Sequence, residues 1–295
     1  MQLAVTELFD PNAGYVATRE LLSVMTRQQL DVRVRRGELI RVWHGVYARH
    51  PPDYFGRLAA LDVYLGQRAV ACLGTAAWLY GFDTEAISAV HVLDPGRRVR
   101  PAIGLMVHQR LGAPLNIVQG RLATAPAWTA VEVARQLKRP RALATLDAAL
   151  HSGLCGPADL VKAVREQWGR RGIVAVRSLL PFADGRAESA LESEARLAML
   201  DRGVPVPELQ YVIEGDEGQR WRVDFAWPDY GVAAEYESIE WHAGREEMLR
   251  DKERFAGIQR TGWTVIPIIV TDVRLRPELM ADRLLAHLAR GGYTG

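Results

Sequence analysis

Residues 14–49, GYVATRELLSVMTRQQLDVRVRRGELIRVWHGVYAR, carry the pattern of two short helices followed by a β-hairpin. Thr18 is placed to cap the first helix. Thr26 precedes Gln29 by three residues, which is the capping-box spacing that starts a second helix. Gly37 is the expected end of that helix, because glycine enters the left-handed conformation at little cost. The apolar segments LIRV and VYA then predict two paired strands. The stretch is typical of a helix-turn-helix with a wing.

The second predicted helix separates into two faces. Leu30 and Val34 lie four residues apart, so they share one face and can pack on the first helix. The rest of its surface carries side chains that suit base edges in the major groove, where arginine pairs with guanine and glutamine with adenine: Arg27, Gln28, Asp31 and Arg35. Residues 14–49 hold seven arginines against three acidic residues, a net charge of +4. A helical subdomain with a solvated basic face is the alternative interpretation.

The composition of the 295-residue chain is that of an ordinary globular protein, with 48% hydrophobic and 24% charged residues. Cys72 and Cys155 are the two cysteines, and neither has a CxxC partner. The sequence therefore favours neither a zinc site nor a disulfide framework. No apolar run has the length of a membrane span, and the first ten residues lack the basic region of a signal peptide. These features predict a cytoplasmic protein with no membrane partner.

Charge is distributed unevenly along the chain. Residues 90–141 hold nine basic and two acidic residues, whereas residues 184–260 hold 18 acidic and 10 basic residues. The first half therefore suits a polyanion, and the last part does not unless a metal ion intervenes. Basic loop residues such as Arg97, Arg98 and Arg100 are candidates for contacts with phosphates.

The periodicities predict an α/β (α+β) multidomain protein. We expect a winged helix-turn-helix domain at residues 1–53 and a mixed α/β middle domain at 54–183 that carries no catalytic signal. A mixed sheet with helices is expected at 184–295. Three histidines of the middle domain are interpreted as isolated side chains in strands or at the surface: His91, His108 and His151.

Acidic residues of the last domain recur at spacings that bring carboxylates together. Asp224 lies in one predicted strand, and Glu235 and Glu237 lie in the next, where residues i and i+2 point the same way. Glu192 on the preceding helix is placed to complete the cluster, and His242 follows closely. Several oxygen ligands of this kind suit Mg²⁺ or Mn²⁺, which can activate water for phosphate chemistry. These five residues are the catalytic and metal-ligand candidates.

The segment RVDFAWPDYGVAAEYE, preceded by AESALESE and followed by RDKERFAGIQRTGWTVI, resembles the very-short-patch-repair-endonuclease-like domain. The resemblance implies a restriction-endonuclease-like fold. Its acidic and histidine positions match Glu188, Glu192, Asp224, Glu235 and His242. Glu-Ser stands at residues 237–238 where Asp-Gly is expected, and no lysine follows Glu235. Because the longer carboxylate and the lost glycine disturb tight metal geometry, we expect a non-catalytic structural or docking module; a metal-dependent DNA endonuclease is the alternative.

The first 180 residues carry a second resemblance. The blocks GYVATRELL, RVRRGELIRVWHGVYA, AVACLGTAAWLYGF, RLATAPAWTAVEVA and LDAALHSG resemble those of AbiEi-type antitoxins of bacterial toxin–antitoxin operons. The resemblance implies an N-terminal winged helix that binds the promoter of its own operon. It also implies a partner toxin of the nucleotidyltransferase type, encoded nearby.

Together these observations predict a DNA-binding autorepressor and antitoxin. Its partner is double-stranded operator DNA, and it needs no cofactor; Mg²⁺ or Mn²⁺ enters only with the nuclease alternative. Trp43 has two interpretations, as a wing contact to DNA or as a core residue that packs the wing onto the helices. The predicted DNA-binding residues are Arg27, Gln28, Asp31, Arg33, Arg35, Arg36, Arg41, Trp43, His44, Arg97 and Arg98. Arg100 is added as a backbone contact.

Overall fold

A computed structural model describes residues 8–9, 14–82, 84–86, 88–109, 112–215, 218–237 and 245–295. The chain divides into two compact units, residues 1–129 and residues 130–295. Both combine helices with strands, which confirms the predicted α+β class. The finer boundaries near residues 53 and 183 stay predictions. In the described ranges no helix has the length and hydropathy of a membrane-spanning segment.

The first unit begins with a small antiparallel sheet, and two helices lie between its first and second strands in the sequence. We call residues 15–48 the helix–hairpin segment. Its sheet has the order β1-β3-β2, so the last strand of the hairpin lies in the middle. Its elements are β1 (Tyr15–Ala17), α1 (Thr18–Val24), α2 (Arg27–Arg35), β2 (Ile40–Trp43) and β3 (Val46–Ala48).

The ends of the two helices follow local signals. Thr26 caps α2 and exchanges hydrogen bonds with Gln29, as the sequence predicted. Gly37 adopts a φ of +72° just after α2, a conformation that disfavours any residue with a Cβ. The predicted cap at Thr18 is wrong. Thr18 is the first helical residue of α1, and the Glu20 carboxylate accepts the backbone N–H of Ala17 instead.

The rest of the first unit builds around residues 70–72. Ala71 forms bridges to Val92 on one side and to Ala123 on the other. It therefore joins a parallel strand pair to an antiparallel hairpin that the sequence did not predict. The elements are α3 (Tyr54–Leu65), α4 (Leu73–Tyr80), β4 (Val90–Leu93), β5 (Leu105–His108), β6 (Leu115–Val118) and β7 (Arg121–Thr124).

The second unit holds a four-stranded mixed sheet of order β11-β10-β9-β8, in which only β10 and β11 are parallel. The mixed sheet predicted for 184–295 is therefore present. The helices from Pro126 to Leu200 are α5 (Pro126–Ala134), α6 (Arg139–His151), α7 (Pro157–Glu166), α8 (Ile173–Leu179) and α9 (Ala190–Leu200), with a 3-10 turn at Leu180–Phe182. The later elements are β8 (Glu208–Glu214), β9 (Arg220–Trp227), a 3-10 turn at Pro228–Tyr230, β10 (Val232–Tyr236), α10 (Arg245–Arg260), β11 (Thr264–Ile268), α11 (Val270–Arg274) and α12 (Pro277–Arg290).

Both faces of this sheet are buried. Met199 of α9 and Leu284 of α12 pack with Phe225 in one apolar cluster. Ile258 of α10 packs with Val223 in a second cluster. Burial of apolar side chains on both faces explains why β10 reads Val-Ala-Ala without alternation.

Ion pairs with buried carboxylates connect α6, which precedes residue 183, to α9, which follows it. Arg196 on α9 pairs with Asp147 on α6 at 2.6 Å, and their side chains are 6% and 1% exposed. Glu194, also on α9, accepts hydrogen bonds from Arg141 and Arg274. Since a buried charge needs its partner, α6 and α9 form one core.

Removal of the Arg196 guanidinium tests this core. Arg196→Met leaves the Asp147 carboxylate buried without its ion-pair partner, and we expect it to lower the free energy of unfolding by about 3–5 kcal/mol. Urea denaturation followed by circular dichroism gives this value. Arg220→Met, which breaks an exposed pair with Glu214, is the matched control and should cost about 1 kcal/mol or less. Equal losses in the two variants would contradict a structural role for the buried pair.

Candidate nucleic-acid interface and carboxylate cluster

Helix α2 is held by one face and exposes the other. Leu30 is 1% exposed and packs in an apolar cluster with Leu21 and Tyr47. Val34 is half-buried against the same cluster. The predicted division of the helix into a core face and an outer face is therefore confirmed. The outer face carries the exposed side chains Arg27, Gln28, Asp31 and Arg35.

Two other arginines predicted to bind DNA lie near the end of α2 and share a carboxylate. The Glu38 carboxylate forms an ion pair with the Arg33 guanidinium at 3.3 Å and lies 3.8 Å from the Arg36 guanidinium. The Arg36 side chain stays 71% exposed, whereas that of Arg33 is 22% exposed. A phosphate would have to compete with Glu38 for Arg33, while Arg36 can reach outward.

We call the hairpin of β2 and β3, residues 40–48, the wing. Trp43 of this hairpin points inward. It is 3% exposed, its indole N–H donates to the Arg57 carbonyl at 2.8 Å, and the Arg57 guanidinium lies over its ring. A register shift in β2 between Arg41 and Trp43 accompanies this inward turn. Trp43 therefore packs the wing onto α3, and the predicted contact to DNA is wrong for this residue. Arg41 is exposed, and its guanidinium donates to the Tyr47 hydroxyl at 3.2 Å.

The basic loop at residues 94–100 lies beside the wing turn. Arg100 Nη1 lies 3.0 Å from His44 Nε2, and since a guanidinium only donates, His44 Nε2 accepts. Arg97 donates to the Tyr64 carbonyl at 2.7 Å. Arg98 is exposed. These contacts fix the loop next to the wing and make one basic surface from segments more than fifty residues apart.

Two of the three histidines interpreted as isolated are in fact partners. His91 Nδ1 lies 3.0 Å from His108 Nε2, and their rings stack. Burial, and then the neighbouring His108, lower the pKa of His91. The parallel pairing of β4 with β5 brings them together. His151 contacts the Gly185 carbonyl at 2.9 Å.

The second unit brings together three of the five predicted catalytic candidates. Asp224 on β9 accepts the backbone N–H of Tyr236 at 2.8 Å. The pKa of Asp224 is raised to about 6, chiefly by burial; the nearby Glu192 and Glu235 add to the rise, and the hydrogen bond from Tyr236 opposes it. Glu192, Asp224 and Glu235 therefore lie close enough to interact electrostatically.

Glu237 differs from Glu235 in its burial. Glu237 follows the last residue of β10 and is exposed, whereas Glu235 is 8% exposed. The shared face predicted for Glu235 and Glu237 stays a prediction. His242 lies outside the described residues.

Arg254, which the sequence did not single out, pairs with one carboxylate of the cluster. The Arg254 guanidinium on α10 donates hydrogen bonds to both carboxylate oxygens of Glu235, one of them at 2.7 Å. It also donates to the Arg222 carbonyl at 2.6 Å. Glu192 accepts hydrogen bonds from the Glu188 N–H and from the Gln210 amide, both at 3.0 Å. Within the described ranges no three His, Cys, Asp or Glu residues are grouped to hold a metal. Arg254 therefore already occupies Glu235, one of the carboxylates that a divalent cation would need here.

Comparison with known proteins gives the family. The AbiEi antitoxin C-terminal domain family matches residues 69–182, from just before the bridging residues 70–72 to the 3-10 turn after α8. Two uncharacterised proteins of Mycobacterium tuberculosis, from strains CDC 1551 and H37Rv, are each 68% identical over 271 residues. The aligned part covers 92% of this chain and all of each relative. Residues 69–182 of the chain therefore belong to the AbiEi antitoxin C-terminal domain family, and the chain as a whole belongs with these two mycobacterial proteins.

The raised pKa of Asp224 predicts a pH dependence of stability. Because the folded state binds this proton more tightly than the unfolded state, protonation stabilises the fold as the pH falls through about 6. Asp224→Asn cannot titrate there. We expect it to be more stable than the wild type at pH 7, by a margin that shrinks towards pH 5. Urea denaturation of both proteins at several pH values measures this margin, and a margin independent of pH would refute the assignment.

Proposed function

We propose that this AbiEi-type antitoxin binds double-stranded DNA through the helix–hairpin segment and represses its own operon. The observation that carries the proposal is the outer face of α2. Arg27, Gln28, Asp31 and Arg35 are all exposed there, while Leu30 fixes the helix from behind. In this interpretation the segment is a winged helix-turn-helix, with α2 as its recognition helix.

The first turn of α2 supplies the base-reading groups. Arginine forks onto guanine and glutamine onto adenine in the major groove, so Arg27 and Gln28 would meet base edges. Arg35 lies two turns further along the same face and would reach the next base pairs or the backbone. Because Thr26 caps α2 and keeps its first turn ordered, the Arg27 and Gln28 side chains project from a helix that is already formed.

The wing and the basic loop supply contacts to phosphates. Arg41, His44 and Arg98 are exposed on this side of the first unit. The hydrogen bond between Arg100 and His44 holds the loop against the wing turn. Contacts of this kind set the register of the protein on the duplex without reading its sequence, and they make binding depend strongly on salt.

The partner toxin belongs to the same proposal. The family match supports the role of an antitoxin in a toxin–antitoxin system. We propose, from the resemblance to AbiEi-type operons, that the toxin is of the nucleotidyltransferase type and is encoded next to this gene.

A metal-dependent endonuclease is the second candidate, favoured by the convergence of Glu192, Asp224 and Glu235. The bidentate contact between Arg254 and Glu235 weighs against it. We therefore propose that the cluster is structural and expect plasmid DNA to remain intact with Mg²⁺ or Mn²⁺ at high protein concentration. Cutting that Asp224→Ala abolishes would reinstate the nuclease.

The DNA-binding proposal is tested on α2 itself. The double variant Arg27→Ala/Arg35→Ala should lose about 2 kcal/mol or more of specific binding, roughly thirtyfold in Kd. Fluorescence anisotropy with a duplex from the region upstream of the gene measures this, with a scrambled duplex for the nonspecific component.

The matched control is Arg220→Ala/Arg290→Ala, which removes two exposed arginines of the second unit and should leave specific binding unchanged. Circular dichroism confirms that each variant is folded. Specific binding by the α2 variant at wild-type strength would remove the helix from the interface.

A further inference from the structure

The second unit presents an exposed tryptophan on a rigid turn. Trp168 follows α7 and is 68% exposed. The residue before it, Gln167, is fully buried. Gly172, with a φ of +86°, closes the turn so tightly that a Cβ there would collide with the Arg135 carbonyl. The turn is therefore anchored on both sides of Trp168, and its indole is held outward rather than folded into the core.

The surroundings of this ring are basic. The Arg177 side chain of α8 lies over it, 5.3 Å from guanidinium carbon to ring centre. Arg165 lies three residues before Trp168, and Arg171 lies three residues after it. All three arginines are exposed. We call Arg165, Trp168, Arg171 and Arg177 the Trp168 surface.

The acidic residues of this segment do not neutralise these arginines. Glu166 pairs with Lys162 at 3.8 Å, and the Asp159 carboxylate accepts the Gly156 N–H at 2.9 Å. The fourth arginine of the segment, Arg170, is held by Glu132. In the part of the chain that the structure describes, no carboxylate pairs with Arg165, Arg171 or Arg177. The surface therefore carries uncompensated positive charge around an exposed aromatic ring, over which the Arg177 guanidinium lies.

We propose that the Trp168 surface binds single-stranded RNA, with a base stacked on the indole and phosphates held by the arginines. An exposed aromatic ring offers a platform to any unpaired base, and guanidinium groups stack on bases and bind phosphates. Duplex DNA does not fit, because its bases are already stacked on one another. RNA is the occupant because its loops and ends display unstacked bases, which proteins capture on aromatic and arginine side chains. This site lies in the other compact unit from α2 and does not rest on the proposed DNA binding.

The test is fluorescence anisotropy of the full chain with a labelled, unstructured RNA of about twelve nucleotides, a length within the usual range of such sites. Trp168→Ala should weaken binding about fivefold or more, the loss expected for one stacked base. Trp168→Phe, which keeps an aromatic ring, should recover much of the affinity. Arg165→Ala/Arg171→Ala should weaken binding and reduce its salt dependence.

Matched controls come from the same unit. Leu279→Ala removes another exposed apolar side chain, 62% exposed, and Arg290→Ala another exposed arginine. Neither should change RNA binding. Specific operator binding should also survive Trp168→Ala, which separates this proposal from the one for α2.

Four results would overturn the proposal. They are an absence of RNA binding by the wild type at micromolar concentrations, equal RNA binding by Trp168→Ala, and equally tight binding of single-stranded DNA of the same sequence. The fourth is displacement of the labelled RNA by polyglutamate as effectively as by unlabelled RNA, when both competitors are added at the same concentration of negative charge. An acidic polypeptide would then be the better occupant of the surface.

Discussion

The buried middle strand of the hairpin is the constraint on which the candidate interface depends. Val46, Tyr47 and Ala48 are each 2% exposed or less, and β3 pairs with β1 on one side and β2 on the other. The backbone N–H of Thr18 donates to the Gly45 carbonyl at 2.7 Å, so the start of α1 is tied to the wing turn. With Tyr47 packed beside Leu30 in one core, the sheet fixes which face of α2 points outward.

Local signals explain why this part was predictable. The Thr26 and Gln29 capping pair, the spacing of Leu30 and Val34, and Gly37 each act within a few residues. They place α2 and its outer face correctly. The mixed sheet of the second unit was predictable for a similar reason, because its strands are marked by short apolar runs.

Partners distant in sequence explain what the prediction missed. Trp43 is buried because Arg57 covers it, and the sequence could not decide between that packing and a contact with DNA. His91 and His108 meet only through the pairing of β4 with β5. Arg254 reaches Glu235 across 19 positions, so the carboxylates could be grouped from the sequence while their neutralisation could not. The function of the residues proposed to bind DNA likewise depends on a partner, which spacing in the sequence does not reveal.

The charged side chains are arranged differently in the two units. Residues 184–260 hold more acidic than basic residues, and some of the acidic ones pair within that range, as Glu235 does with Arg254 and Glu188 with Arg222. Arginines outside that range, Arg141 and Arg274, hold Glu194. The first unit keeps many of its arginines at the surface instead, on α2 and beside the wing. A polyanion would therefore meet exposed guanidinium groups there, whereas several carboxylates of the acidic region pair with arginines of their own unit.

Photo-crosslinking tests the central claim most directly. A photoreactive amino acid at position 28, in place of the exposed Gln28, should crosslink to a duplex from the upstream region, and unlabelled duplex should compete. The same group at position 279, in place of the exposed Leu279, should give no specific crosslink. Crosslinking at position 279 with none at position 28 would contradict α2 as the DNA-reading element.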